Sequence, residues 1–120
     1  MAILKALRWV GSSKKDLLEF PDEVRREIGY ALYFAQRGEK HPAAKPLRGF
    51  HGGVVLEVAE DQRGNAYRAV YTVRFPTAVY VLHAFQKKPK KGIATPHHDI
   101  ELIKNRLKLA EADYRRGQAL

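Results

Sequence analysis

An α+β fold is predicted by three features of the chain. Apolar residues recur at helical spacing in two segments: Val24, Ile28, Ala31, Leu32 and Ala35 in the first, Ile100, Ile103, Leu107, Ala110 and Tyr114 in the second. Between them lie three apolar, strand-like runs. The links between those runs are short, which makes the strands antiparallel neighbours. The order is therefore β-α-α-β-β-β-α. It describes a mainly antiparallel sheet with an N-terminal helical hairpin and a C-terminal helix, the helices largely on one face, in a single domain spanning 1–120.

The elements follow in order. From Ala2 to Val10, Ile3, Lys5, Leu7 and Trp9 alternate with their neighbours, which reads as a strand ended by Gly11. Ser13-Lys14-Lys15-Asp16 has the spacing of a capping box and opens a short helix to about Phe20. Pro21 belongs in the first turn of a second helix, with Asp22 and Glu23 where acids favour the helix dipole. Gly38 stops that helix. Glu39 to Pro46, with two prolines, reads as a loop. Strands are expected over Gly53 to Ala59, Tyr67 to Phe75 and Ala78 to Phe85, with a turn over Asp61 to Asn65 and a tight link at Pro76-Thr77. Thr95 caps the last helix, with Pro96 at its first position; Leu102 and Leu109 widen its apolar stripe.

Composition restricts the class of protein. The 120 residues carry a formal net charge of +9, with a pI near 9.9. Such a balance suits a polyanion or an acidic protein partner. There is no cysteine, so neither a disulfide framework nor a thiolate metal site is available. No apolar run approaches a membrane span, and the N-terminus makes a poor signal peptide. A cytoplasmic location is the expectation. His97-His98-Asp99 invites a metal reading, but adjacent helical histidines point in different directions, and no metal or cofactor is expected.

The residues suited to chemistry gather at strand ends. In Tyr67 to Phe75, Tyr67, Ala69, Tyr71, Val73 and Phe75 share one face, and Arg68, Val70, Thr72 and Arg74 share the other. If the first face meets the helices, the two arginines look out from an open sheet face. Glu57 then stands as a natural partner for Arg68. In the next strand Val79, Val81, His83 and Phe85 share a face, and the strand runs into Lys87-Lys88-Pro89-Lys90-Lys91. A strand end is a rigid place from which to offer cations to phosphate.

Several short words of the sequence, and their order, resemble a family. Lys45-Pro46-Leu47-Arg48-Gly49, Val55-Leu56-Glu57-Val58, Tyr67-Arg68-Ala69-Val70-Tyr71 and, most specifically, Val81-Leu82-His83-Ala84-Phe85-Gln86-Lys87-Lys88 closing with Thr95-Pro96 and Ile100 are similar to the RelE/ParE toxin superfamily. Within it they resemble the HigB-like, phage-derived branch of type II toxin–antitoxin toxins. The likeness runs from about Leu17 to Arg116. Two departures lie near the expected cleft: Ala59 stands where the branch often has arginine, and the link from Lys88 to Thr95 is long and basic.

The resemblance implies a RelE-like fold and a ribosome-dependent mRNA endoribonuclease that inhibits translation without a metal. Its partners would be mRNA on the ribosome and a cognate antitoxin, expected to be a helix-turn-helix protein. The alternatives are a gyrase poison of the ParE type and a non-catalytic, phage-derived nucleic-acid-binding module. RNA cutting needs a base for the 2′-hydroxyl, cations for the phosphate and an acid for the leaving oxygen. The catalytic candidates are Arg68, His83, Lys87 and Lys88, with Tyr71 in reserve. Lys45, Arg48, Arg74, Lys90 and Lys91 are the candidate phosphate binders.

Overall fold

The structure, a computed structural model, describes residues 3–87 and 95–118. Its elements are β1 (Ala6–Trp9), α1 (Ser13–Leu18), α2 (Asp22–Gln36), β2 (Ala44–Pro46), a 3-10 turn (His51–Gly53), β3 (Val55–Gln62), β4 (Asn65–Thr72), β5 (Ala78–Lys87) and α3 (His97–Gln118). The five strands form one sheet in the order β1-β5-β4-β3-β2. β1 pairs with β5 in parallel, and the other pairings are antiparallel. A parallel neighbour needs a long crossover, and the chain between β1 and β5 supplies it.

Helices cover both faces of this sheet. On one face Val24, Ile28, Ala31, Leu32 and Ala35 of α2, with Leu17 of α1, pack on Leu56, Val58, Tyr67, Ala69, Tyr71, Val79 and Val81. On the other, Ile103 and Ala110 of α3 pack on Val55, Val70, Tyr80 and Leu82. This corrects the expectation that the helices share a face and leave the other open. The sequence did signal it: both sides of Ala78 to Leu82 are apolar, and a strand apolar on both sides is covered on both sides.

Local details depart from the sequence reading in instructive ways. The capping residue of α1 is Ser12, whose hydroxyl donates to Asp16 Oδ2 at 2.7 Å, while Ser13 is buried and donates to the Val81 carbonyl at 3.1 Å. Part of the predicted loop Glu39 to Pro46 is the edge strand β2, short and ended by proline as edge strands often are. The β3–β4 hairpin turns through Arg63 and Gly64 with φ of 51° and 80°. Two left-handed residues match the right-handed twist of the flanking strands, so Asp61 and Gln62 stay in β3. β4 ends at Thr72, and Phe75 joins the α3 face rather than that of Tyr67 and Tyr71.

One irregularity governs the functional face. Val70 registers with His83 and Tyr71 with Val81, so Leu82 is an extra residue in β5. This bulge breaks the alternation. Val79 and Val81 face α1 and α2, whereas His83 and Phe85 beyond the bulge turn toward α3.

Candidate functional site

α3 runs back along β5. Its first turn meets His83 through Asp99, its middle meets the Leu82 carbonyl through Arg106, and its last turns meet Tyr80 and Thr77 through Asp113 and Tyr114. The end of the sheet carrying Arg68, Phe85 and Lys87 therefore lies beyond the start of the helix. Into this end project Lys45 from β2, Glu57 and Asp61 from β3, Arg68 from β4 and Lys87 from β5. The pairings Lys45 with Glu57, Ala59 with Arg68 and Arg68 with Phe85 place these side chains on one face.

Arg68 is the centre of the cluster and only 9% exposed. Its Nη1 donates to Asp61 Oδ1 and to its neighbour's carbonyl, Tyr67 O, both at 2.9 Å. Its Nε stands 4.0 Å from Glu57 Oε1. The sequence named Glu57 as its partner; Asp61 is the closer one. Glu57 has a second task, accepting a hydrogen bond from Thr95 Oγ1 at 2.8 Å, which ties the approach to α3 onto the sheet. Ala59 pairs with Arg68 across the strands, so only a methyl group stands beside Arg68 on that side.

Lys87 is buried, and burial pushes its ammonium below the ordinary lysine range, with Arg68 adding to the effect and Glu57 opposing it. His83 is buried too. Its Nε2 lies 2.7 Å from Asp99 Oδ1 and its ring stacks on Phe85 with centroids 4.6 Å apart. Burial holds its pKa below the usual value, against the pull of Asp99. The second ring nitrogen, Nδ1, is buried with no hydrogen-bond partner among the described residues, and protonating it would create an orphaned donor. The neutral ring donating through Nε2 to Asp99 is therefore the stable form.

The remaining candidates separate. Lys45 is exposed beside the cluster, and Arg48 is exposed just past β2. Arg74 lies beyond the opposite end of β4, about 20 Å along the strand from Arg68, and pairs with Glu111 of α3. The structure does not bring it to the site. Tyr71 is fully buried on the α2 face, its hydroxyl pushed up to about 12 by burial, which removes the reserve candidate from the cluster. Lys88, Lys90 and Lys91 lie outside the described residues. Asp99 of the His97-His98-Asp99 word is committed to His83, and no group of three His, Cys, Asp or Glu side chains suited to a metal occurs among the described residues.

Asp61 and Asp99 are the participants the sequence reading missed. Asp61 was legible: Glu57, Ala59 and Asp61 alternate onto one face once the strand is extended to the Arg63-Gly64 turn. The Asp99–His83 contact depends on α3 lying on that face, and no local pattern reports it.

A family model described as phage-derived protein Gp49-like (DUF891) matches residues 15–108. The chain belongs to this family. Among solved structures, the Gp49-like chain is similar to a mutant of the E. coli toxin RelE in the free state, at 19% identity and a TM-score of 0.55, over 88% of this chain and 97% of that one. The toxin–antitoxin complex RelBE2 from Mycobacterium tuberculosis matches at 17% identity and a TM-score of 0.48, over 71% of this chain and 100% of that one. No curated protein matches. The Gp49-like chain thus has a RelE-like fold. No helix among its described residues is long and apolar enough to cross a membrane.

Proposed function

We propose that this chain is the toxin of a type II toxin–antitoxin pair and a metal-independent mRNA endoribonuclease acting at the ribosome in the cytoplasm. The observation that carries the reading is the meeting of Arg68 and Lys87, both buried, at the end of a RelE-like sheet beside the first turn of α3. In this reading Arg68 holds two oxygens of the scissile phosphate through its fork. Asp61, whose side chain is 71% exposed, is a weak partner that the phosphate replaces. Lys87, more easily neutralised than an exposed lysine, takes the proton of the 2′-hydroxyl. The 2′-oxygen attacks phosphorus, the bond to the 5′-oxygen breaks, and Lys88 returns a proton to that leaving oxygen. The products are a 2′,3′-cyclic phosphate and a 5′-hydroxyl. Lys45 and Arg48 extend the track for the RNA backbone. His83 acts by position: fastened to Asp99, it holds the end of β5 against the start of α3 and so fixes Lys87.

The partner in this reading is a cognate antitoxin of helix-turn-helix type. Induction of the gene alone should arrest bacterial growth, with primer extension showing cuts confined to translated regions of a reporter mRNA. Arg68→Ala, and Lys87→Ala paired with Lys88→Ala, should each release the arrest while melting as folded proteins. One lost charged hydrogen bond to phosphate is worth about 1.5–3 kcal/mol, or about ten- to a hundredfold. Normal growth at good soluble expression of the wild type sinks the reading. Intact mRNA with an induced DNA-damage response transfers it to gyrase.

A further inference from the structure

The face opposite the cationic cluster carries a groove that the proposed chemistry does not use. It is an open hollow of about 470 Å³ between β1 and the helical hairpin. Its apolar lining comes from Leu7, Trp9, Leu17, Leu18 and Leu32. Leu18 is 55% exposed, a large apolar side chain left in water at the end of α1. The rim is Lys14, Arg25 and Arg26, offset by one carboxylate, Asp22, which pairs with Arg25.

The wall of the groove on α2 includes Gly29. It sits in the middle of α2, where glycine costs a helix stability relative to alanine. Its φ is not in the left-handed range, and a Cβ built on it meets nothing within 4 Å. Neither turn geometry nor internal packing therefore calls for glycine. It lines the groove, and the missing side chain lets another backbone come close to α2 there.

We propose that this groove docks an acidic amphipathic helix of a partner protein, its apolar stripe against Trp9 and Leu32 and its carboxylates toward Lys14 and Arg26. An apolar floor fits the stripe of such a helix. The net positive rim selects its charge and speeds encounter. That this partner is the antitoxin rests on the proposed function; the groove itself does not.

Trp9 is the only tryptophan of the chain, so its emission reports on the groove directly. The probe is a synthetic amphipathic helix with leucines on one face and glutamates elsewhere, titrated into the full-length protein. A saturable blue shift of Trp9 is expected. Gly29→Phe should weaken it by about tenfold or more, as should Lys14→Glu paired with Arg26→Glu. Gly29→Ala should raise the melting temperature, which shows that the position tolerates a side chain. A helix with lysines in place of the glutamates should give no shift. Absence of a shift with the acidic helix overturns the proposal, as does equal binding to Gly29→Phe or to the basic helix. Sedimentation at the same concentrations covers a second copy of this chain as occupant: self-association abolished by Gly29→Phe would overturn the acidic partner. The growth assay is separate. Arrest with no Trp9 shift removes the groove and leaves the toxin reading; a shift without arrest does the reverse.

Discussion

His83 and Lys87 stand on the same strand, and burial lowers the proton affinity of both, with different consequences. For Lys87 the lowered value favours proton exchange with a substrate. For His83 it makes the neutral ring part of the folded state, and stability then depends on pH. The unfolded chain protonates histidine near its ordinary value of about 6.5. Between that value and the lower folded one, the unfolded chain binds more protons, so stability falls as pH falls. The contribution is whole above about pH 6.5 and is lost below it. Melting temperature should therefore drop from about pH 7.5 to about pH 5.5, and His83→Gln, which cannot titrate, should flatten the drop. A parallel drop in the variant would assign the effect to groups other than His83. His83 was visible in the sequence as a titratable group in an apolar strand. Its carboxylate partner was not, because Asp99 lies beyond the basic segment and meets it only through the packing of α3.

At the scale of elements, α3 decides what the sheet can do. Its stripe of Ile100, Ile103, Leu107, Ala110 and Tyr114 was plain from spacing, and the structure buries Ile103 and Ala110 fully. What spacing could not say is which face receives the stripe. Two features settle it. The Leu82 bulge turns His83 toward α3. Arg106 crosses from α3 to donate to the Leu82 carbonyl at 3.0 Å, lying over Gly11, where a built Cβ would stand 2.9 Å from the guanidinium. Gly11, with φ of 57°, both makes the turn after β1 and leaves room for this brace. Because α3 rather than a partner covers this face, truncating its centre should be felt throughout. Ile103→Ala is expected to cost about 2–5 kcal/mol, read as a lower urea midpoint with an unchanged slope. A cost well below that range would mean that α3 is loosely held and that the sheet face opens in solution.

For the molecule as a whole, the order of elements and the antiparallel centre were legible because each strand and helix carries its own period. The two-sided layering and the edge strand β2 were not, since long-range packing decides the first and three residues are too few to show a period. Net charge was legible too, but not its use. The +9 of the chain is a global property, whereas binding of a nucleic acid is salt-dependent through the few cations that touch phosphate. That distinction can be measured. Affinity for a single-stranded oligoribonucleotide should fall linearly on a log–log plot against salt, with about 0.7 of slope for each phosphate contacted. Lys45→Ala should reduce the slope by about that amount, because Lys45 stands beside the Arg68 cluster. Arg74→Ala removes the same charge from the chain, but at a position held by Glu111 beyond the far end of β4. It should leave the slope unchanged. Equal effects of the two substitutions would mean that the RNA follows the overall charge of the molecule, and the sheet end would lose its claim to be the binding site.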